Sequence, residues 1–138
     1  MDNNICELNF ASEPAMVRSI VRYLLDFIKS HSCEPDVICD LKLIFSELLY
    51  NAVVHGNKED KNKKVYVNVK VISGCLSASI RDEGGGFDYN KAIEYACGDA
   101  ALENEHGRGM LLVTSLTDNV HFNKKGNQIQ FEKVLKQV

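Results

Sequence analysis

The sequence predicts a fold of the α+β class, because helical and strand-like patterns both occur and the strands come in adjacent pairs. Two segments with apolar residues at helical spacing, residues 12–30 and 35–56, occupy the first part of the chain. A strongly alternating stretch over residues 65–81 predicts an antiparallel hairpin. Residues 118–135 predict a second hairpin, so we expect a mostly antiparallel sheet accompanied by helices.

Length and composition limit the functions to consider. A chain of 138 residues suits one domain, residues 1–138, because two independent cores would be cramped. The net charge of −3 does not favour binding to nucleic acid or to an anionic membrane. No apolar run is long enough to cross a bilayer, and the first residues lack a signal-peptide pattern. We therefore expect a cytoplasmic protein.

The cysteines and histidines give no sign of a metal site. The five cysteines are scattered and include no Cys-x-x-Cys pair. This usage argues against a disulfide framework and against zinc, so we expect reduced thiols. The four histidines lack metal-ligand spacing as well.

The first part of the chain predicts a strand followed by two helices. Residues 4–10 form a modest edge strand. Ser12 is a candidate N-cap for the first helix, and Pro14 suits its first turn. The second helix begins near Pro35, and its pattern continues to Gly56, a candidate C′ glycine. The apolar stripe expected on the first helix consists of Met16, Ile20, Tyr23, Leu24, Phe27 and Ile28.

The segments around the hairpins are less regular. Residues 57–64 predict a charged, solvated loop, and residues 91–96 a short helix. A later helix is expected to open at Gly107. Its inward residues are expected to be Leu111, Leu112, Val113 and Leu116.

The second helix carries three polar residues in a line. Glu47, Asn51 and His55 follow one another at a spacing of four, so they share one stripe. Apolar residues lie on both sides of this stripe. A carboxylate in such surroundings is costly unless it is paired or has a function. We therefore expect a ligand site that involves a cation; the alternative is that Glu47 pairs with a core lysine or arginine.

Two glycine-rich stretches complete the pattern. Asp82 and the glycines at 84–86 follow a predicted strand, where glycines cost backbone entropy but let the backbone approach a ligand; a simple turn is the alternative. Gly107 and Gly109 expose N–H groups at a helix start, which favours an anion. Together with the helical stripe, these stretches supply a divalent-cation ligand, an acceptor for a base and a phosphate cradle, as a nucleotide–Mg²⁺ complex requires.

These motifs resemble a known family. Residues 47–56, with the pattern Glu-x-x-x-Asn-x-x-x-His-Gly, resemble the N box of the GHKL (Bergerat-fold) ATPases. Residues 82–86 resemble the G1 box of that family, and residues 107–109 the G2 box. The boxes occur in the family's order, and the resemblance covers essentially the whole chain. Within the superfamily, the short layout is most similar to the anti-sigma-factor serine-protein kinases.

The resemblance implies a two-layer α/β sandwich, with helices on one face of the sheet and with ATP and Mg²⁺ as cofactors. Asn51 would coordinate Mg²⁺ through its side-chain oxygen. Glu47 would act as general base toward the attacking hydroxyl. Asp82 would accept a hydrogen bond from the exocyclic amine of adenine. The other nucleotide-binding residues that the resemblance implies are Gly84, Gly86, Gly107, Arg108, Gly109 and Met110.

Three further expectations concern the surroundings of this site. The resemblance implies an ATP lid at about residues 96–106. Arg18 matches a position that family kinases use to bind protein partners, although with Arg22 it could also form a solvated basic patch. Asn127 and Gln128 stand where the family usually has threonines that assist adenine recognition, so we expect an altered adenine pocket.

The resemblance implies an ATP-dependent serine/threonine-protein kinase and anti-sigma factor. It would phosphorylate a STAS-domain anti-anti-sigma partner, sequester a sigma factor and form a homodimer. The alternative is a non-catalytic, ATP-dependent protein-binding regulatory module; the presence of Glu47 favours the kinase, because binding alone needs no base. The ATPase domain of a histidine kinase is disfavoured, since no helical hairpin with a phospho-acceptor histidine precedes these motifs.

Overall fold

The computed structural model of the chain describes residues 4–85 and 105–136. Within them, five strands form one antiparallel sheet in the order β1-β2-β3-β5-β4, which confirms the expected α+β class. The strands are β1 (Ile5–Ala11), β2 (Lys64–Ile72), β3 (Cys75–Arg81), β4 (Asn119–Phe122) and β5 (Gln128–Val134). The helices are α1 (Pro14–Lys29), α2 (Pro35–Tyr50) and α3 (Glu105–Leu116), and a π-helical segment (Asn51–Gly56) continues α2.

The β2–β3 hairpin forms as its alternating pattern predicts. Four valines of β2 point into the core and their neighbours point away, since successive side chains of a strand face opposite sides. Ser73 and Gly74 connect the strands with positive φ angles of 51° and 77°. Two positive φ angles define the turn that matches the twist of a hairpin, and glycine adopts them without cost.

The first strand lies at an edge of the sheet, as expected. Cys6 and Phe10 point into the core, whereas Ile5 is 38% exposed. Cys6 and the other described cysteines, Cys33, Cys39 and Cys75, are free thiols.

The helices pack on one face of the sheet, where α2 contacts β5. The rings of Phe45 in α2 and Phe131 in β5 meet edge to face, with centroids 5.4 Å apart. Lys133 of β5 reaches the helices as well: its Nζ donates to Asp40 Oδ2 at 3.2 Å and to the carbonyl of Leu116 at 2.5 Å. This largely buried lysine thus ties α2 and the end of α3 to the sheet. No helix within the described ranges combines the length and hydropathy that a membrane crossing requires.

Two expectations for α1 are wrong. Glu13, not Ser12, precedes the first helical residue, and it provides no side-chain cap. Ser12 is buried and donates instead to the carbonyl of Lys63 at 2.7 Å. Tyr23 is 60% exposed, because it lies at the margin of the apolar stripe, where Leu24 takes the inward position.

The end of the second helix also differs from the expectation. The chain does not continue as an α-helix to a glycine in the left-handed conformation; the amide of Asn57 donates to the carbonyl of Ala52 at 2.9 Å, a π-helical bond. The positive-φ glycines of the described chain are Gly74 and Gly126, so Gly56 serves a different purpose. Asn57 itself is buried, although residues 57–64 were expected to be solvated.

The later helix, α3, begins at Glu105, two residues before the expected start. Val113 is buried as expected, but Leu111 and Leu112 are 38% and 36% exposed, since they lie on the face turned away from the sheet. The short helix expected at 91–96 lies outside the described residues, as does the ATP lid up to residue 104.

Candidate functional site

Asn51 occupies the junction between α2 and the π-helical segment, and it is 97% buried since its exposed fraction is 3%. Its Nδ2 donates to Sδ of Met110 in α3 at 3.5 Å. Its Oδ1 is buried and has no hydrogen-bond partner among the described residues. Buried polar atoms in proteins are nearly always satisfied, so an orphaned carboxamide oxygen calls for a ligand. A carboxamide oxygen is a ligand type that Mg²⁺ accepts, and this atom therefore fits a hard cation.

Glu47 lies one turn before Asn51 on α2 and is half-buried. Its carboxylate packs against the backbone of α3, because a methyl group built on Gly109 would overlap both carboxylate oxygens. Glycine at position 109 is therefore what allows the carboxylate to lie there. The side chains of Glu47 and Asn51 both face the start of α3, so the structure brings these two predicted residues together.

Asp82 follows β3 and is almost fully buried, with 3% exposed. The amide of Gly84 donates to its Oδ1 at 2.8 Å. Burial raises the pKa of Asp82 above its ordinary value, because a charged carboxylate loses hydration there; the Gly84 amide and nearby cations oppose the shift. A buried carboxylate that keeps acceptor capacity suits recognition of a neutral donor such as an amine.

Gly56 and Gly84 allow the end of the π-helical segment to contact the loop after β3. A methyl group on Gly56 would overlap the Asp82 carboxylate, and one on Gly84 would overlap the carbonyl oxygen of Gly56. The end of the π-helical segment and the loop after β3 are thus in backbone contact. Gly85 differs, since a methyl group there meets no atom of the described residues within 4 Å. The absence of side chains at 56 and 84 sets how closely Asp82 approaches the segment that begins at Asn51.

Asn57 is a site-supporting residue that the sequence analysis did not identify. Its Nδ2 donates to Ser12 Oγ at 2.7 Å and to the carbonyl of Lys64 at 3.0 Å. Its Oδ1 accepts from the amide of Glu83 at 2.7 Å. These bonds join the end of β1, the start of β2 and the loop that contains Asp82. An asparagine at the head of a charged stretch gives no periodic signal of burial, so only its position directly after Gly56 could have drawn attention to it.

Asn127 supports Asp82 from the sheet. The amide of Asp82 donates to the carbonyl of Asn127 at 2.9 Å, and Asn127 Nδ2 donates back to the carbonyl of Asp82 at 3.3 Å. Oδ1 of Asn127 accepts from Asn123 Nδ2 at 2.6 Å. The asparagine found in place of a threonine therefore holds the Asp82 backbone, while Gln128 pairs with Arg81 in the β3–β5 ladder.

A groove of about 1390 Å³ runs between α1 and α2 and reaches the site. Glu47 and Asn51 line it together with His55, whose ring lies 6.1 Å from that of Tyr50. Arg18 lines the same groove, and its basic lining is completed by Arg22, Lys29 and Lys42. Among the described residues of the lining, these cations outnumber the acidic ones, Asp26 and Glu47. Arg18, predicted from a single match on α1, thus shares a continuous surface with the α2 residues.

The remaining predicted site residues are placed only in part. Gly107 and Arg108 lie in the first turn of α3, where the side chain of Arg108 is outside the described residues, and so is Gly86 as a whole. Met110 is fully buried against Asn51. The described chain thus brings Glu47 against Gly109 and Asn51 against Met110, whereas Asp82 contacts Gly56 at the end of the π-helical segment.

This fold and these boxes define a class of protein, the histidine kinase-like ATPases. The family model described as "Histidine kinase-like ATPase domain" matches residues 10–133, and the chain belongs to this family. It is 32% identical to the serine-protein kinase RsbW of Bacillus subtilis, over 98% of this chain and 89% of that protein. It is also similar to the anti-sigma F factor of the same organism, at 28% identity over 68% of this chain and 65% of the relative. The anti-sigma F factor of Oceanobacillus iheyensis is 26% identical over 79% of this chain and 77% of its own. The predicted relationship to GHKL ATPases of the anti-sigma kinase type is therefore confirmed.

Proposed function

We propose that this protein is an ATP-dependent serine/threonine-protein kinase and anti-sigma factor. Its substrate would be a STAS-domain anti-anti-sigma protein, and its second partner a sigma factor that it sequesters. Similarity to a serine-protein kinase over nearly the whole chain supports this proposal, as do the related anti-sigma F factors. The observation that carries it is the buried Oδ1 of Asn51, which has no hydrogen-bond partner in the described part of the chain and lies one turn after Glu47.

Asn51 would hold Mg²⁺ through Oδ1, the atom that has no hydrogen-bond partner among the described residues. When bound, the cation neutralises charge on the phosphates of ATP. Gly107 and Gly109 would present backbone N–H groups to the phosphates, and Arg108 would add positive charge. Gly84 and Gly86 would let the backbone approach the nucleotide.

Glu47 would accept the proton of the attacking hydroxyl. In this step, the serine or threonine oxygen forms a bond to the γ-phosphorus as the bond from that phosphorus to the bridging oxygen breaks. ADP leaves, and the proton of the hydroxyl moves to the Glu47 carboxylate. Glu47 suits this role because it is half-buried and lies one turn from the proposed cation ligand.

Asp82 would select adenine. Its carboxylate would accept a hydrogen bond from the exocyclic amine, which guanine replaces with a carbonyl that cannot donate. Hydrogen bonds from the amide of Gly84 to Oδ1 and between the Asp82 and Asn127 backbones fix its orientation. A preset acceptor costs little reorganisation on binding, which favours discrimination between the two bases.

The groove between α1 and α2 would bind the protein partner. Arg18 lines it, and its other basic residues favour an acidic surface, although the chain as a whole is acidic. A partner seated there would bring its hydroxyl group near Glu47, which lines the same groove. Arg18→Glu should weaken partner binding while leaving ATP binding unchanged.

The first experiment is a calorimetric titration with ATP, ADP and GTP, with and without Mg²⁺. We expect binding that prefers adenine and strengthens with Mg²⁺, and we expect this strengthening to disappear in Asn51→Ala. Failure of every nucleotide to bind would overturn the proposed activity.

The second experiment separates the kinase from a nucleotide-dependent binding module. STAS-domain proteins of the same organism serve as candidate substrates, with transfer from labelled ATP as the readout. Glu47→Gln keeps the shape of the side chain but removes the base, so transfer should be lost while ATP binding persists. Glu132→Gln, the same change at an exposed position of β5, is the matched control. Unchanged transfer by Glu47→Gln would refute the assignment of Glu47 as the base.

A further inference from the structure

Two consecutive residues in the first half of α3 contact Glu47 of α2 and Asn51, the first residue of the π-helical segment. A methyl group on Gly109 would overlap the Glu47 carboxylate, with Oε2 only 2.6 Å away. The adjacent Met110 is fully buried, and its Sδ accepts from Nδ2 of Asn51 at 3.5 Å. Two consecutive residues of α3 therefore touch the proposed base and the proposed cation ligand.

The two contacts act on the Glu47 carboxylate and on the amide nitrogen of Asn51. Because residue 109 has no Cβ, the Glu47 carboxylate can occupy space that any other residue would fill. The bond to Met110 engages the Nδ2 end of the Asn51 carboxamide and leaves Oδ1 as the end without a hydrogen bond to any residue that the structure describes. Sulfur is a weak acceptor, but it has no donor group, so it accepts from the amide nitrogen and offers nothing to the amide oxygen.

We infer that Gly109 and Met110 are positioning residues, which fix the Glu47 carboxylate and the Asn51 carboxamide in their working orientations. This inference rests on the proposed kinase function. It assigns Gly109 a role besides presenting its N–H to phosphate, and the two roles separate in experiment. Alanine at 109 retains the N–H, so a phosphate role predicts nearly unchanged kinetics, whereas a positioning role predicts slow transfer.

The first test measures ATP affinity and phosphoryl transfer in Gly109→Ala. We expect kcat for transfer to fall by about 10- to 100-fold, because a displacement of a reacting group by about 1 Å has effects of this size. The dissociation constant for ATP should change by less than about threefold, since the N–H groups remain. Ser115→Ala is the matched control, as it places alanine at an exposed position of the same helix.

The second test asks whether the effect depends on the length of the Glu47 side chain. Glu47→Asp withdraws the carboxylate by one methylene group and makes room for a methyl group at 109. In a double-mutant cycle, Gly109→Ala should therefore cost much less in the Glu47→Asp background than in the native one. Equal costs in both backgrounds, or a loss of ATP binding equal to the loss of transfer, would overturn the positioning role of Gly109.

The third test replaces Met110 by leucine, which keeps an apolar side chain of similar volume but removes the sulfur acceptor. We expect the gain in ATP affinity on adding Mg²⁺ to shrink roughly three- to tenfold, while affinity without Mg²⁺ is unchanged. An unchanged gain would overturn the role of Met110. Failure of the kinase proposal is distinguishable, because it would appear as absent transfer by the unaltered protein, whereas failure of the positioning proposal appears only in the variants.

Discussion

The two ends of the π-helical segment carry asparagines that are almost equally buried, and they differ in what their side chains bind. Asn51 is 3% exposed and Asn57 1% exposed. Both ends of the Asn57 carboxamide bond to protein, whereas Oδ1 of Asn51 is an orphan among the described residues. A saturated buried amide stabilises the fold, while an orphaned one costs stability and persists where a ligand completes it. The comparison separates a residue that supports the site, Asn57, from one that we propose binds the cation, Asn51.

The largest effect on folding is expected from Asn57→Ala. The change leaves the amide of Glu83, the buried Ser12 Oγ and the partly buried carbonyl of Lys64 without the Asn57 side chain as partner. We expect the free energy of unfolding to fall on the order of 3 kcal/mol, measured by urea denaturation. A loss below about 1 kcal/mol would show that water replaces these bonds and that Asn57 does not tie the three segments together.

Asn51→Ala should have a small effect on the free energy of unfolding and a large effect on ATP affinity. Its weak bond to Met110 is lost, but the burial of an unsatisfied oxygen ends as well, so the free energy of unfolding should change by less than about 1 kcal/mol. Affinity for ATP in the presence of Mg²⁺ should fall by about 100-fold. Urea denaturation and calorimetry on the same samples give both numbers. A strongly destabilised variant with normal ATP affinity would reverse the roles assigned to the two asparagines.

The sequence predicted the main strands and helices and several candidate site residues, because the signals for these are local and mostly periodic. The alternation of β2 and β3 and the apolar face of α2 follow from repeats of two and of 3.6 residues. Glu47 and Asn51 were found because a carboxylate and an amide interrupt an apolar pattern at a spacing of one turn. Asp82 was found because three glycines directly after a strand are unusual.

What the sequence could not predict depends on contacts between distant segments. Asn57 resembles any loop residue until Ser12 and Glu83 are brought beside it, which requires the whole sheet. The π-helical turn shifts one backbone bond, to Asn57, and leaves no periodic signature in six residues. Gly56 was read as a helix cap because local rules suggest this, whereas its actual neighbour is Asp82, 26 residues away.

Alanine substitutions at two neighbouring glycines test the contact between Gly56 and the loop after β3. Gly84→Ala places a methyl group into the carbonyl oxygen of Gly56, whereas Gly85→Ala places one in open space. Backbone cannot yield as a flexible side chain does, so we expect Gly84→Ala to lose about 2 kcal/mol of stability and Gly85→Ala to change by less than about 0.5 kcal/mol. Thermal unfolding of both variants is sufficient. Equal stability of the pair would mean that the loop after β3 moves away from Gly56 at little cost.

Protonation of Asp82 should affect the stability of the fold and the affinity for ATP with opposite signs. Burial raises the pKa of Asp82 in the folded protein, so between the ordinary value of about 4 and the raised value the folded state binds more protons than the unfolded state. This contribution to stability is present at low pH and is lost as the pH rises through the folded pKa. The free energy of unfolding of the native protein should therefore decline relative to that of Asp82→Asn as the pH rises across this window. ATP affinity should do the reverse and weaken as the pH falls, since a protonated carboxyl is a poorer acceptor for the adenine amine. Urea denaturation and ATP titration across this pH range measure both slopes, and parallel slopes would show that Asp82 is a structural acid rather than the acceptor for adenine.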